Sequence, residues 1–308
     1  MIKTAFIGWR GMVGSVLMQR MLEEHDFEGF EPVFFSTSNP GGLGPQIGMT
    51  LPPLKDAYDI QNLAKHDIIV TCQGGSYTEK IYPELRKTGF KGYWIDSAST
   101  LRMDKDSIIV LDPINRKGIN AGLKSGIKTY VGGNCTVSLM LMAINGLFES
   151  KQVEWLTSMT YQAASGAGAN HMKELAAQML AIGDASRDLL QNPAATAIEI
   201  DGRVTRELRR AGHPIENFGA PLAANLIPWV DRAVEAGQTR EEWKGLVETN
   251  KILGTKKTIP RTMPPTTIIQ GWLSTSSGCS NMSARALGAV KSARYDAGHS
   301  ASHCPVAR

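Results

Sequence analysis

The sequence has no apolar run approaching the ~18 residues that a membrane-spanning helix requires, so it contains no candidate transmembrane helix. It has only four cysteines, Cys72, Cys135, Cys279 and Cys304. No two of them have a disulfide-framework or CxxC metal spacing, which makes a reducing cytoplasm the expected compartment. No leader is expected, because Met1-Ile2-Lys3-Thr4 runs straight into strand-like sequence. One-sided charge is also missing from most of the chain. The net +4 arises after residue 258, where Arg261, Arg285, Lys291, Arg294 and Arg308 face a single acid, Asp296. Residues 1–258 are neutral, so the pI of 8.8 gives no ground for a nucleic-acid partner.

What is present is a 308-residue chain, 42% apolar and 20% charged, long enough for two domains with separate cores. Thr4 to Gly8 reads as a short strand and is followed by Gly8-Trp9-Arg10-Gly11-Met12-Val13-Gly14. Val13, Val16, Leu17 and Met21 recur at helical spacing, which sets Gly14 in the first turn of a helix packed on that strand. Glycines here let the backbone turn tightly and approach a pyrophosphate held by the helix N-terminus. The spacing is GxxGxxG rather than GxGxxG, and a tight turn without a ligand is the plain alternative.

Further strand–helix alternation gives the pattern of a doubly wound parallel sheet, with ligands at the strands' carboxyl ends. The strands read as Pro32–Phe35, Asp67–Thr71, Tyr93–Asp96, Ile108–Leu111 and Ile127–Val131, with a helix from Thr78 to Lys87. After Phe35 comes Ser36-Thr37-Ser38, where NAD binders place an acid for the ribose hydroxyls. Hydroxyls with Arg10 nearby suit a 2′-phosphate instead, which favours NADP. Gln73, Arg102 and Cys135 all fall just beyond strand ends. Arg102 suits an anion, or is a solvated loop charge.

Val131-Gly132-Gly133-Asn134-Cys135-Thr136 joins a strand to the apolar run Val137–Phe148, long enough for a buried helix. A cysteine at such a turn is expected to be biased towards thiolate by the helix end and to serve as a nucleophile for an acyl carbon. Burial as a small hydrophobe is the competing expectation. Beyond Val153, Leu156–Gln162 reads as one strand, and Ala163-Ala164-Ser165-Gly166-Ala167-Gly168-Ala169 as a small-residue loop before a helix carrying Met172, Leu175, Met179 and Leu180. Glu241 and Lys244 share a helical face, either as a surface ion pair or as holders of an ammonium and an anion.

GWRGMVG (8–14), FFSTS (34–38), TCQGG (71–75), GGNCT (132–136), YQAASGAGA (161–169) and EEWKG (241–245) together resemble bacterial aspartate-semialdehyde dehydrogenase, from Met1 to about Pro260. The resemblance implies a Rossmann-type α/β nucleotide domain, 1–134, and a substrate and dimerisation domain, 135–258. The second would be α+β, like that of glyceraldehyde-3-phosphate dehydrogenase, and incomplete at its C-terminus. It implies a homodimer that reduces L-aspartyl-4-phosphate to aspartate 4-semialdehyde with NADPH, towards lysine, threonine, methionine and diaminopimelate. Cys135 would form the acyl thioester. Arg10, Gly11, Met12, Val13, Thr37, Ser38, Gln73, Ser165, Gly166, Ala167, Gly168, Ala169 and Pro193 would contact NADP. Arg102 and Lys244 would hold the phosphate, and Gln162 and Glu241 the rest of the substrate, with no metal.

The same resemblance exposes a loss. The family's proton-carrying histidine and carboxylate-binding arginine fall, counted without gaps, at Ser274 and Thr267, and neither residue type can replace them. Residues 259–308 are expected to be a poorly ordered tail outside the family pattern, about sixty residues short of the usual length and read as an out-of-frame translation. His299, His303 and Cys304 have a spacing that could ligate zinc, on weak grounds. His171 and His213 are the other histidines weighed as substitutes for the missing base. Two further readings stay open, a related acyl-phosphate reductase and a non-catalytic NADP-binding or dimer-forming relic.

Overall fold

The computed structural model describes residues 1–234, 237–256, 258–259, 261–262 and 267–269. The chain opens with β1 (Ile2–Ile7), α1 (Met12–Glu23), β2 (Phe30–Ser36), β3 (Lys55–Asp56), α2 (Ile60–Leu63), β4 (Ile68–Thr71) and α3 (Gly75–Lys87). It continues with β5 (Tyr93–Asp96), β6 (Ser107–Val110), α4 (Asp112–Ser125), β7 (Thr129–Gly132) and α5 (Cys135–Glu149). The seven strands form one sheet in the order β3-β2-β1-β4-β5-β7-β6, with every neighbouring pair parallel.

The central strands are apolar on both faces because helices cover both. Alternate residues of β1 point to opposite sides. Ala5 and Ile7 join Val33, Phe35, Leu63, Ile69, Ile81, Leu85 and Trp94 in one core, beneath α2 and α3. Phe6 joins Phe34, Met18, Met21 and Phe27 in the other, beneath α1. Ile69 and Trp94 are fully buried, so Ile69→Ala is expected to cost about 2–5 kcal/mol through lost contacts and a residual cavity.

The order reverses between β1 and β4, with β2 on one side and β5 on the other, so a crevice opens at their carboxyl ends. Cys135 begins α5, directly after β7, along the same edge. That placement agrees with the α/β class and the strand-to-helix turn read from the sequence.

The second half contains β8 (Leu156–Thr157), β9 (Tyr161–Gln162), α6 (Ala169–Leu190), α7 (Ala197–Leu208), β10 (Leu226–Ile227), α8 (Arg240–Leu253), β11 (Arg261–Thr262) and β12 (Thr267–Ile269). β12 lies between β10 and β9, antiparallel to the first and parallel to the second, while β11 pairs with β8. The single strand expected over Leu156–Gln162 is therefore two strands in two sheets. Alternation runs through both, with Leu156 and Ser158 buried and Met159 and Tyr161 exposed, so it is the change of pairing partner, from β11 to β12, that divides them. The halves share a core, since Ile109 of β6 packs with Val137, Met140 and Leu141 of α5, Leu156 of β8 and Ile252 of α8.

Residues 261–262 and 267–269 of the expected tail thus form strands, and Thr267 pairs in register with Tyr161. Ser274, the His299, His303 and Cys304 group, and the rest of the segment read as out of frame lie outside the described residues. Among the described residues no helix is long and apolar enough to cross a membrane.

Candidate active site

Two glycines shape the nucleotide crevice. Gly8 has φ +75°, and a Cβ there would come within 2.5 Å of the Cys72 carbonyl carbon and the Gln73 nitrogen. A Cβ at Gly14 would overlap the Gly8 carbonyl oxygen and lie 2.6 Å from the Trp9 Cα. The first glycine lets the β1 and β4 loops touch, and the second lets α1 pack against β1.

The helix starts divide into two groups. α1, α3 and α6 begin after Gly11, Gly74 and Gly168, none with a side-chain cap. α5, α7 and α8 are capped by Asn134, Thr196 and Thr239. The glycine-capped helices follow the stretches assigned to NADP by resemblance, Arg10–Val13, Gln73 and Ser165–Ala169. Their first-turn N–H groups have no side chain in front of them, as an incoming anion requires. α4 also lacks a side-chain cap, but Asp112 and Pro113 fill its first turn.

Arg10 Nη2 donates to Ser36 Oγ at 3.1 Å and to Ser38 Oγ at 3.0 Å, with its guanidinium 5.5 Å from the Trp9 ring centroid. A cation and hydroxyls therefore occupy the end of β2, where NAD binders use an acid. Met12, Val13, Ser38 and Gln73 are exposed around the crevice, and Thr37 is partly so. Pro193 lies in the exposed turn after α6, whose 22 residues carry the chain about 33 Å from Ala169.

Around Cys135 the structure gathers residues from three distant stretches. Asn134, the cap of α5, accepts from the Val137 N–H at 3.0 Å and donates Nδ2 to Glu241 Oε1 at 2.9 Å. Gln162 Nε2 donates to the same carboxylate oxygen at 3.1 Å and to Thr136 Oγ1 at 3.1 Å. Lys244 Nζ donates to Glu241 Oε2 at 3.2 Å and to Asp231 Oδ2 at 2.7 Å. Arg102 is buried, with Nε on the Gly132 carbonyl at 2.7 Å and Nη1 on Glu248 Oε1 at 3.0 Å. Neither surface alternative holds: Glu241 is 5% exposed and Arg102 8%.

Cys135 is open to solvent as a residue, yet its thiol is not biased towards thiolate as the sequence suggested. Burial of the sulfur pushes its pKa up and the Glu241 carboxylate adds to this, outweighing Thr136 and Arg102, which pull it down. A helix end contributes partial charges only, and here burial first, and the Glu241 carboxylate second, act in the opposite direction.

His171 and His213 both have other partners. The His171 ring packs edge-on against Phe218 with centroids 4.8 Å apart, and His213 is buried with Nδ1 3.1 Å from Glu207 Oε1. Sequence reading missed the parts played by Asn134, Thr136, Asp231 and Glu248. Asn134 had a signal, an Asn immediately before an apolar helix. Glu248 had one too, since Glu241, Lys244 and Glu248 stand at i, i+3 and i+7 on one helix face. Asp231 had none. Among the described residues no group of three or more His, Cys, Asp or Glu is arranged to hold a metal.

Residues 3–121 match the model of the semialdehyde dehydrogenase NAD-binding domain, and residues 144–269 match that of its dimerisation domain, nine residues past Pro260. Aspartate semialdehyde dehydrogenase from Francisella tularensis is 46% identical, with TM-score 0.80 over 88% of this chain and 73% of that one. Aspartate semialdehyde dehydrogenase II from Vibrio cholerae, solved in complex with ASA, is 24% identical, with TM-score 0.65 over 87% and 70%. The Candida albicans enzyme solved with NADP shares the fold at 16% identity and TM-score 0.50, over 88% and 68%. By its two domain matches and the 46% identity, this chain belongs to the NADP-dependent aspartate-semialdehyde dehydrogenase family of oxidoreductases.

Proposed function

We propose that the chain carries the site for NADPH-dependent reductive dephosphorylation of L-aspartyl-4-phosphate, with the acyl group held on Cys135. One observation carries this reading: a single carboxylate, Glu241, gathers Asn134, Thr136, Gln162 and Lys244 around the start of α5. Gln162 and Glu241 suit the polar end of an amino-acid substrate. Lys244 and Arg102 suit its phosphate, whose departure two cations make easier by offsetting the charge that develops. Attack needs the Cys135 proton removed, so approach of a dianionic phosphate towards the cations must coincide with ionisation of a thiol held high.

NADPH supplies the hydride when bound. Arg10, Ser36 and Ser38 would hold its 2′-phosphate, and the open starts of α1, α3 and α6 its other anionic groups. The dimerisation-domain match supports a homodimer, and the reading places it in the cytoplasm, on the route to lysine, threonine, methionine and diaminopimelate.

Turnover is expected to be poor. Thr267 stands in the strand beside β9, Ile268 pairing with Gln162, where an arginine for the substrate carboxylate is expected. By ungapped count serine, at position 274, stands where the family carries its proton-transferring histidine, and loss of a general base alone costs about 10²–10⁴-fold. Phosphate-dependent NADPH formation from aspartate semialdehyde tests this: the expected rate is lower than that of the Francisella tularensis relative by at least that factor, and near-equal rates overturn it. The non-catalytic alternative is favoured by NADPH binding with no acyl transfer to Cys135 from an acyl phosphate.

A further inference from the structure

Glu248 lies on α8 and is 1% exposed. Its Oε1 accepts from Arg102 Nη1 at 3.0 Å, and its Oε2 accepts from the backbone N–H of Asn134 at 2.8 Å, across 114 residues of sequence. Arg102 completes the circuit by donating Nε to the Gly132 carbonyl at 2.7 Å. Gly132 and Asn134 flank the turn that delivers Cys135. One carboxylate and one guanidinium therefore clamp both sides of that turn, and the clamp is built from the cation assigned to the phosphate.

The donor count shows what the clamp leaves free. A guanidinium has five N–H groups. Those spent on Gly132, Glu248 and the Ser97 carbonyl (3.4 Å) leave one on each terminal nitrogen. Two parallel N–H groups on one edge form the fork that pairs with two oxygens of an anion. Glu248 and Ser97 each hold one terminal nitrogen, and of the two only Glu248 also reaches the backbone before Cys135.

We propose that Glu248 is a positioning residue that sets the Arg102 fork and the Cys135 turn in one fixed relation, so that phosphate and nucleophile are presented together. The inference rests on the reading of Arg102 as a phosphate cation and Cys135 as the nucleophile. A shorter carboxylate cannot span both partners, whereas an amide of equal length keeps only one of the two acceptors and removes the charge that neutralises Arg102.

The test uses the full chain and follows alkylation of Cys135 by iodoacetamide from pH 6 to 10, with and without inorganic phosphate. Wild-type protein is expected to be protected by phosphate. If it is not, the reading of the site fails, and this inference fails with its premise. Glu248→Asp keeps the charge and is expected to need about tenfold or more phosphate for half-protection, the scale of one charge-assisted hydrogen bond. Glu248→Gln is expected to move the alkylation midpoint to lower pH, because the Arg102 charge is no longer offset. A purely structural carboxylate would change melting temperature and neither of these readouts. A wild-type protection curve in the folded Glu248→Asp variant overturns the inference while leaving the proposed function standing. If Glu248→Gln does not fold, the Glu248→Asp curve alone decides.

Discussion

Lys244 donates its ammonium to Asp231 at 2.7 Å and is only 12% exposed by side chain, so the cation proposed for a phosphate already has a carboxylate on it. Asp231 is held in place by a left-handed backbone, φ +69°, a conformation that side-chain-bearing residues adopt rarely. Burial works to raise its pKa, but the hydrogen bond from Lys244, the Arg232 N–H and the Lys244 and Arg240 charges outweigh it, and Asp231 is held ionised. A phosphate must share Lys244 with it or displace it.

Asp231→Asn should therefore tighten phosphate binding. Removing one competing charge from a partly exposed pair is worth up to about 1 kcal/mol, or several-fold in affinity. Phosphate protection of Cys135 measures it, and an unchanged half-protection concentration would show that Asp231 does not compete.

Glu241→Gln should make Cys135 more reactive at fixed pH. Glu241 is, after burial, the larger cause of the raised thiol. At pH 7–8 a raised pKa means less thiolate than in an ordinary cysteine, so removing the charge increases the reactive fraction. The alkylation midpoint should move down in pH and the rate at pH 8 should rise several-fold. A midpoint that stays or moves up would place the cause elsewhere.

Arg10→Ala should separate the two cofactors. The guanidinium spans Ser36 and Ser38 where a 2′-phosphate would lie, and a charge-assisted contact of this kind is worth about 1.5–3 kcal/mol. NADPH affinity, read by fluorescence titration, should fall about tenfold or more while NADH affinity hardly changes. Equal losses for both would mean that Arg10 does not read the 2′ position.

Glu207 ties Arg210 and His213 to the end of α7. Hydrogen bonds from Arg210 and His213 hold its carboxyl at about 2. A carboxyl depressed in the folded state stabilises above its unfolded pKa, near 4.3, and the benefit is lost as pH falls towards the folded value. Glu207→Gln should therefore lower the melting temperature at pH 5–7, and the gap from wild type should narrow as pH falls from about 4.5 towards 2. A pH-independent gap would mean that packing, not ionisation, accounts for the difference.

The sheet was legible because its strands are short apolar runs ended by glycine or hydroxyl-rich loops, and the helices after Gly11 and Asn134 carry clear periodicity. α4 was not, since its sequence DPINRKGINAGLKS buries only Gly122 and shows little apolar pattern. α7 buries only Glu207, so its one local signal was the capping box of Thr196 and Glu199. β8 and β9 were merged because what separates them is the sheet each joins, which depends on residues more than a hundred positions away.

By itself the sequence determined the parallel nucleotide sheet, Cys135 at a strand-to-helix turn, and the chemistry that threonine and serine bring to positions 267 and 274. These follow from local backbone preference and from side-chain chemistry that no fold can alter. Only the tertiary structure decided the state of the nucleophile and its neighbours. α8 returns to the sheet edge and brings Glu241 against Cys135 and Glu248 against Arg102. Burial of the sulfur, with the Glu241 carboxylate adding to it, then acts against the helix end, the one electrostatic cue the local sequence could offer.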